Sequence, residues 1–221
     1  MRVGRLVAGQ LAAALQLFRA PAVHPLYVLD FGCGCGRIAR YLSVLPGLSL
    51  VGCDIDREAI TWAGSHLSHA MSPLLGSDEP PLPLADRSFH VVYAVSVFTH
   101  LPEPLALAWL QELHRITRSD GYLLLTTHGR AELPWHALLS RLRLALFGFA
   151  HRRGRYTPGL PAYYHSSYHT PQYLHRVTAP LFRVLTIHSR AINNHQDLIV
   201  LQPTTQATVT GSLARAEPRP G

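Results

Sequence analysis

A glycine-rich turn between an apolar strand and a helix constrains this chain more than any other feature. The stretch VLDFGCGCGR at residues 28–37 places glycine at three alternate positions, Gly32, Gly34 and Gly36. Glycine lacks a Cβ atom, so it permits a sharp turn and lets a ligand approach the backbone. The helix that follows presents free N–H groups to polar groups of a ligand. The pattern predicts a strand–turn–helix unit that binds a small molecule, with Asp30 beside the turn.

A second apolar strand ends in a carboxylate about twenty residues later, at the distance that nucleotide-binding folds use. Residues 48–53 precede Asp54, and an acid at this place can accept hydrogen bonds from both hydroxyls of a ribose. Strand, glycine turn, helix, strand and acid together predict a site for a cofactor that contains a nucleoside. The glycine spacing G-x-G-x-G differs from the G-x-G-x-x-G of dinucleotide sites, which makes an NAD-dependent oxidoreductase the weaker alternative.

Length and charge are consistent with one α/β domain and do not indicate nucleic-acid binding. The 221 residues suffice for one well-buried core and are few for two. Every basic residue is arginine, and these residues are scattered rather than arranged in a stripe with aromatic residues, so we expect no nucleic-acid partner. A group at Arg152, Arg153 and Arg155 could contact an acidic substrate or a membrane surface, although a solvated loop is the simpler interpretation.

Cysteine use and hydropathy predict a cytoplasmic protein without a metal site or an integral membrane segment. Cys33, Cys35 and Cys53 have no companion pair at zinc spacing and are expected to be unpaired thiols. The first 22 residues superficially resemble a signal peptide, but Gln10 and Gln16 interrupt the apolar run, which favours an amphipathic helix packed on the domain. No stretch reaches the ~20 apolar residues of a membrane span. The sequence leaves open whether the chain forms a homodimer.

Hydrophobic periodicity predicts alternating strands and helices up to residue 129 and an insert after it. A first helix over 4–20 is expected to place Leu6, Leu11, Leu15 and Phe18 on one side. Further helices are predicted over 37–45, 56–70, 102–118 and 134–149 and from Pro171. Strands are predicted over 26–30, 48–53, 74–77, 89–95, 122–127, 182–187 and 197–201, with a tight turn at Ser119-Asp120-Gly121. The predicted division is an N-terminal helical segment (1–25), one domain (26–203) with a substrate-side insert or lid (130–179), and a flexible tail (204–221).

These motifs together resemble the class I S-adenosylmethionine-dependent methyltransferases. DFGCGCGR at 30–37 is similar to motif I of that family, and LPLADRSFHVVYA at 82–94 resembles its segment entering strand four. SVFTHL at 96–101 resembles the segment that follows, and WLQELHRITRSDGYLLL at 109–125 resembles the helix and turn before strand five. The chain departs from the family at His90, where Asp is usual, and at residues 119–121, where Pro-Gly-Gly is usual.

The resemblance implies a Rossmann-like α/β fold with a seven-stranded sheet that is parallel except for strand seven and has helices on both faces. It implies S-adenosyl-L-methionine as the cofactor, bound outside the carboxyl ends of the strands. Asp78 would contact the adenine amine, the alternative being a carboxylate that stabilises a turn. Ser96 and Val97 would approach the methionine part by their backbone. The implied cofactor-binding set is completed by Asp30, Gly32, Cys33, Gly34 and Gly36 near the methionine part and by Asp54 and Ile55 near the ribose.

The resemblance also favours a small-molecule or glycan acceptor, methylated most readily at a hydroxyl oxygen. Methyl transfer from a sulfonium is an in-line displacement, so the protein positions the nucleophile and, for a hydroxyl, removes a proton. Histidine suits that role near neutral pH. Our hypothesis is that His128 or His165 acts as the base and that His100 shapes the pocket, the alternative being that all three are structural. A non-catalytic protein that binds the cofactor stays open as well.

Overall fold

One seven-stranded sheet organises the chain in the computed structural model, which describes residues 2–17, 25–152 and 161–204. The strands are β1 (Leu26–Phe31), β2 (Leu48–Asp54), β3 (Ser72–Leu75), β4 (Phe89–Ala94), β5 (Thr117–Thr127), β6 (Phe149–Arg152), β7 (Ser166–His169), β8 (Phe182–Ile192) and β9 (Gln196–Pro203). The sheet has the order β3-β2-β1-β4-β5-β9-β8, and β6 and β7 form a separate antiparallel pair. Strands β1 to β5 pair in parallel, whereas β9 lies antiparallel to both β5 and β8. The expected Rossmann-like sheet with one antiparallel strand is confirmed.

Helices cover both faces of this sheet. They are α1 (Arg2–Leu17), α2 (Ala39–Leu42), α3 (Arg57–His66), α4 (Glu103–Ile116), α5 (Leu138–Phe147) and α6 (Pro171–Thr178). One core cluster contains Trp109 and Leu113 of α4 and Leu174 of α6, and the other contains residues of α1, α2 and α3. All six residues of β4 are buried, as expected for a central strand covered on both faces.

Helix α1 uses a different face from the one predicted. Val7, Ala8 and Leu11 are buried against the core cluster that includes α2, whereas Leu6 is half exposed. A Cβ atom at Gly4 would collide with the backbone of Arg37, so glycine allows α1 to approach the turn before α2 closely. Leu6 therefore does not share the buried side of Leu11, contrary to the prediction that placed both on one side. The side chain of Leu15, and Phe18 as a whole, lie outside what the structure describes.

The segment at residues 119–121 is not the tight turn that was predicted. Strand β5 continues through it from Thr117 to Thr127, with a shift of register between Phe89 and Val91 on the neighbouring strand. A Cβ atom at Gly121 would lie 2.6 Å from the carbonyl oxygen of His90, so glycine allows the two strands to pass closely here. The turn residues therefore mark a close approach of extended backbone and not a reversal of the chain.

Several predicted boundaries also shift, mostly where turns replace helix ends. Helix α2 is confined to residues 39–42, because the chain from 36 to 38 still belongs to the turn. Helix α3 ends at residue 66 and β3 begins at 72, two residues before the predicted strand. Arg153, Arg155 and nearly all of the predicted tail lie outside the described residues. Within the described residues, no helix has both the length and the apolar character needed to cross a membrane.

Candidate cofactor and active site

A cavity of about 390 Å³ opens where β1, β2 and β4 end. Its volume lies in the range of roughly 300–1,000 Å³ typical of small-molecule sites. The glycine turn, the ends of β2 and β4, the segment 76–78 after β3 and one side of α4 form its walls. Of the residues predicted to bind cofactor, all but two line it. The lining members are Gly32, Cys33, Gly34, Asp54, Ile55, Asp78, Ser96 and Val97.

The three glycines of the turn differ in what surrounds them. All have positive φ angles, which L-residues with a Cβ atom rarely adopt. A Cβ atom at Gly32 would collide with the side chain of Val97, and one at Gly36 would lie 2.6 Å from Leu67. A Cβ atom at Gly34 would meet nothing within 4 Å, although this residue lines the cavity. Gly34 therefore leaves open the space that a ligand would use, and the other two glycines permit packing.

The carboxylate of Asp54 joins the glycine turn to the end of β2. Its Oδ2 atom accepts a hydrogen bond of 2.6 Å from the Gly34 N–H, and its Oδ1 atom accepts one of 2.9 Å from the Asp56 N–H. A carboxylate oxygen has more than one acceptor direction, so both atoms can still accept from the hydroxyls of a ribose. The side chain is thus held by backbone groups in the position that the sequence predicts for ribose recognition.

Asp30 and Gly36, the two other predicted members, do not line the cavity. Asp30 is fully buried, and burial raises the pKa of its carboxyl to about 7, an effect that the Tyr93 hydroxyl partly opposes. This value includes a smaller increase caused by the nearby Asp54 and a decrease caused by Arg37. Asp30 therefore carries a proton in part of the molecules at neutral pH.

Ser96 adopts a strained backbone conformation at the cavity wall. Its φ angle is +64°, in a region that non-glycine residues occupy only when their surroundings enforce it. The Ser96 N–H donates a 2.8 Å hydrogen bond to Oγ1 of Thr126 on β5, and its Oγ accepts one of 2.8 Å from Nε2 of Gln196 on β9. The two neighbouring strands thus hold Ser96 and the following Val97 against the cavity, at the position predicted for the methionine part.

The insert supplies two tyrosines to this cavity. Tyr163 and Tyr164 line it, and the Tyr163 hydroxyl donates a 3.4 Å hydrogen bond to the backbone carbonyl of Asp78. Burial, together with the charges of Asp78 and Glu79, raises the pKa of Tyr163 to about 12. The composition of the insert indicated tyrosines near the acceptor, but the sequence could not single out these two. Arg37 and Trp109 also line the cavity and were not predicted.

The three candidate histidines come together next to these tyrosines, although none of them lines the cavity itself. The His100 ring stacks on Tyr164 with 4.0 Å between ring centroids, and its Nδ1 atom lies 2.9 Å from the carbonyl oxygen of His165. His128 meets His100 edge-on at 6.3 Å. Because a carbonyl oxygen can only accept, the Nδ1 atom of His100 carries the proton and its Nε2 atom keeps the lone pair.

Burial keeps two of these histidines uncharged. It lowers the pKa of His100 from its ordinary value, although the hydrogen bond to the His165 carbonyl opposes the change. Burial, together with the neighbouring His195 and His100, lowers the pKa of His128 to about 4. At neutral pH both rings are therefore neutral. His100, which contacts the cavity wall, is the better placed of the two to accept a proton.

The cysteines are separated by the fold. Cys33 and Cys53 are buried and Cys35 is exposed, and all three are free thiols. Burial raises the pKa of Cys53 to about 12, so its thiol stays protonated. Among residues 2–17, 25–152 and 161–204, no group of three or more His, Cys, Asp or Glu side chains is arranged to hold a metal ion.

The known proteins that this chain resembles include methyltransferases in both sequence and family model. Residues 29–125 match the family model of a methyltransferase domain. The chain is 36% identical over 110 residues to a malonyl-[acyl-carrier protein] O-methyltransferase of Pectobacterium atrosepticum, which covers 48% of this chain and 40% of that protein. A protein of the same name from Pseudescherichia vulneris is 30% identical over 148 residues, covering 62% and 54%. The chain thus spans about half the length of the curated relatives that it matches.

The similarity of fold extends beyond the matched sequence. The crystal structure of a magnesium protoporphyrin IX methyltransferase from Synechocystis with bound SAH superposes with a TM-score of 0.62 and 16% identity. The superposition covers 91% of this chain and 85% of that one. At this identity the likeness concerns the fold alone. It includes the region after residue 125, which the family model does not match.

Proposed function

The chain has a class I S-adenosylmethionine-dependent methyltransferase domain, and from this premise we propose that it transfers the methyl group of that cofactor to an oxygen atom of a small molecule or a glycan. One observation carries the proposal. The Asp54 carboxylate and the open side of Gly34 face the same cavity, which is where a nucleoside and an amino-acid group need a hydrogen-bond acceptor and an unobstructed backbone.

The residues present fit S-adenosyl-L-methionine. Asp54 would accept hydrogen bonds from the ribose, the turn at Gly34 and the strained Ser96 would border the methionine part, and Asp78 would lie near the adenine. When bound, the cofactor supplies an electrophilic methyl group on a sulfonium. The chain's own task is to position an acceptor oxygen in line with that methyl group, to exclude water and, for a hydroxyl acceptor, to remove a proton.

For a hydroxyl acceptor we assign proton removal to His100, in place of His128 or His165. The hydrogen bond from Nδ1 to the His165 carbonyl holds the tautomer whose Nε2 atom can accept a proton. The stack on Tyr164 places the ring behind the cavity wall, so the proton of an acceptor hydroxyl would reach Nε2 through one bridging water. His165 would act through its backbone and not its ring. His128 would pack behind His100, with its pKa too low for an effective base at neutral pH.

A carboxylate oxygen is a second candidate acceptor, favoured by the similarity to malonyl-[acyl-carrier protein] O-methyltransferases. A carboxylate is already ionised at neutral pH and needs no base. Arg37, which lines the cavity, could pair its guanidinium with such a group while it is positioned. The two candidates differ in one respect that can be measured, which is whether turnover requires His100.

The test combines binding with an acceptor screen. Calorimetric titration with S-adenosylmethionine, S-adenosylhomocysteine and NAD should show binding of the first two and not of NAD, whereas tight binding of NAD alone would revive the oxidoreductase alternative. Release of S-adenosylhomocysteine is then followed with sugars, small phenols and malonyl thioesters as acceptors. Cofactor binding without turnover on any of them would favour a non-catalytic binding protein. We also propose a cytoplasmic location and a homodimer, which this test does not address.

A further inference from the structure

An exposed apolar stripe runs along α5. Four leucines between 56% and 79% exposed form it, while Leu144 on the opposite side of the helix is buried. The leucines follow a helical spacing of three to four residues, so they share one face. The members of this α5 stripe are Leu138, Leu139, Leu142 and Leu146. Trp135, just before the helix, is 82% exposed. A patch of this kind on a folded domain marks an interaction surface.

The sequence around the α5 stripe is basic. Between Glu132 and Asp197 the sequence contains eight arginines and no acidic residue. Arg141 and Arg143 lie on α5 itself, on either side of the leucines in the helical projection. Leucines on one face and arginines at its borders are the arrangement of helices that lie in a membrane interface. The sign of the charge complements an anionic surface.

A cavity beside α5 adds an independent observation. It has a volume of about 300 Å³, lies against the C-terminal part of the helix and is lined in part by Arg130 and Arg176. The Arg176 guanidinium donates a 3.0 Å hydrogen bond to the carbonyl oxygen of Phe147 and lies 5.3 Å above the ring of Tyr173. It is therefore held at the cavity, where it can receive an anionic group such as a lipid phosphate.

We propose that α5 binds the surface of a bilayer that contains anionic phospholipids, with the α5 stripe inserted at the level of the headgroups. Arg141 and Arg143 would contact lipid phosphates, and the cavity between Arg130 and Arg176 would accept one headgroup. A second copy of the chain fits less well, because pairing two such faces would bring arginines of like charge together. Nucleic acid would use the arginines but would leave the leucines in water.

This inference goes beyond the proposed methyl transfer and does not depend on it. It nevertheless concerns the same insert, because α5 packs against β6, which pairs with β7. Tyr163 and Tyr164, which line the cofactor cavity, precede β7 in the chain. Binding at a membrane would therefore hold the element that forms one wall of that cavity close to acceptors dissolved in or attached to the bilayer.

Vesicle sedimentation of the full chain tests the proposal. The wild type should sediment with vesicles made of equal parts phosphatidylcholine and phosphatidylglycerol, and not with phosphatidylcholine alone. The double variant Leu139→Glu/Leu142→Glu should bind at least about tenfold more weakly, because two apolar side chains become charged. Each of Arg141→Gln and Arg143→Gln should weaken binding about fivefold, as expected for one cation near an anionic surface.

Val44→Glu is the matched control, since Val44 is 77% exposed and lies between α2 and β2, outside the insert. It should bind vesicles like the wild type. Circular dichroism and cofactor titration establish that each variant is folded. The proposal is wrong if the wild type ignores anionic vesicles or if the leucine variant binds them undiminished. It is equally wrong if light scattering shows a wild-type dimer that the leucine variant converts to a monomer, because a second copy then covers the stripe.

Discussion

The Oδ2 atom of Asp54, the last residue of β2, accepts a 2.6 Å hydrogen bond from the N–H of Gly34, at the centre of the turn after β1. The two residues are twenty positions apart in the chain. Their contact joins the group expected to recognise the ribose to the turn expected to receive the methionine part. One carboxylate thus has two functions, since it orders the empty turn and remains able to accept hydrogen bonds from a ligand.

Replacing Asp54 by alanine should therefore weaken binding of S-adenosylmethionine and S-adenosylhomocysteine by roughly a hundredfold, the loss of two hydrogen bonds to a charged group. Calorimetric titration measures this directly. Asp120→Ala removes an exposed carboxylate that does not line the cavity and should bind like the wild type. Binding by Asp54→Ala within threefold of the wild type would contradict the assigned ribose site.

Alanine substitutions in the turn should affect stability at one glycine and cofactor affinity at another. Gly34→Ala and Gly36→Ala share the strain of a positive φ angle, of about 1 kcal/mol, so each serves as the other's control. Only the alanine at position 36 would also collide with Leu67 and crowd Met71. Thermal unfolding should show Gly36→Ala as the less stable variant by a further 1–3 kcal/mol, approximately. Titration should show Gly34→Ala as the one that stays folded yet loses cofactor affinity.

Alanine at position 100 should lower kcat, whereas alanine at position 165 should leave it nearly unchanged. With a hydroxyl acceptor, His100→Ala should lower kcat by roughly 10²- to 10⁴-fold, the usual contribution of a general base, and leave cofactor affinity unchanged. His165→Ala keeps the carbonyl that orients His100 and should change kcat little. Because the pKa of His100 is lowered, activity should hold through neutral pH and fall only as the pH drops below the ordinary histidine value. An unchanged kcat in His100→Ala would indicate an acceptor, such as a carboxylate, that needs no base.

Asp30 should make the folded state less stable as the pH rises. Its carboxyl has a pKa of about 7 in the fold and 3.8 as the ordinary value, so between these values the folded chain binds more protons than the unfolded chain. The contribution of this group to the free energy of unfolding is highest below pH 4. It declines by up to roughly 4 kcal/mol as the pH rises to 7 and levels off above that.

Urea unfolding of the wild type and of Asp30→Asn between pH 5 and pH 8 isolates this contribution. The difference in free energy of unfolding between the two proteins should grow in favour of the variant as the pH rises. His128 titrates in part of the same range with the opposite sign, but it is present in both proteins and cancels. Asp120→Asn, at an exposed position, should leave the pH dependence as it is in the wild type. A constant difference between wild type and Asp30→Asn would show that Asp30 is ionised throughout.

Local patterns predicted much of the fold and most of the residues that line the candidate cofactor cavity. Apolar runs bounded by turn residues located the strands, because a strand buried on both faces needs a continuous apolar sequence. Gly34 and Asp54 could be assigned from spacing, since the turn and the strand end that carry them are each set by a few neighbouring residues. The face of α1 and the course of the chain at Gly121 could not, because both depend on contacts with Arg37 and His90, which are distant in sequence.

The sequence by itself thus predicted the class of cofactor and the edge of the sheet at which we propose that it binds. Only the tertiary structure decided the rest. It showed that a Cβ atom at Gly34 would enter open space, whereas one at Gly32 or Gly36 would collide with a side chain. It gathered His100, His128 and His165 around Tyr164 and exposed the leucines of α5. The physical reason is that backbone conformation follows local sequence, whereas burial, a proton's position and a pKa depend on groups that only the folded chain brings together.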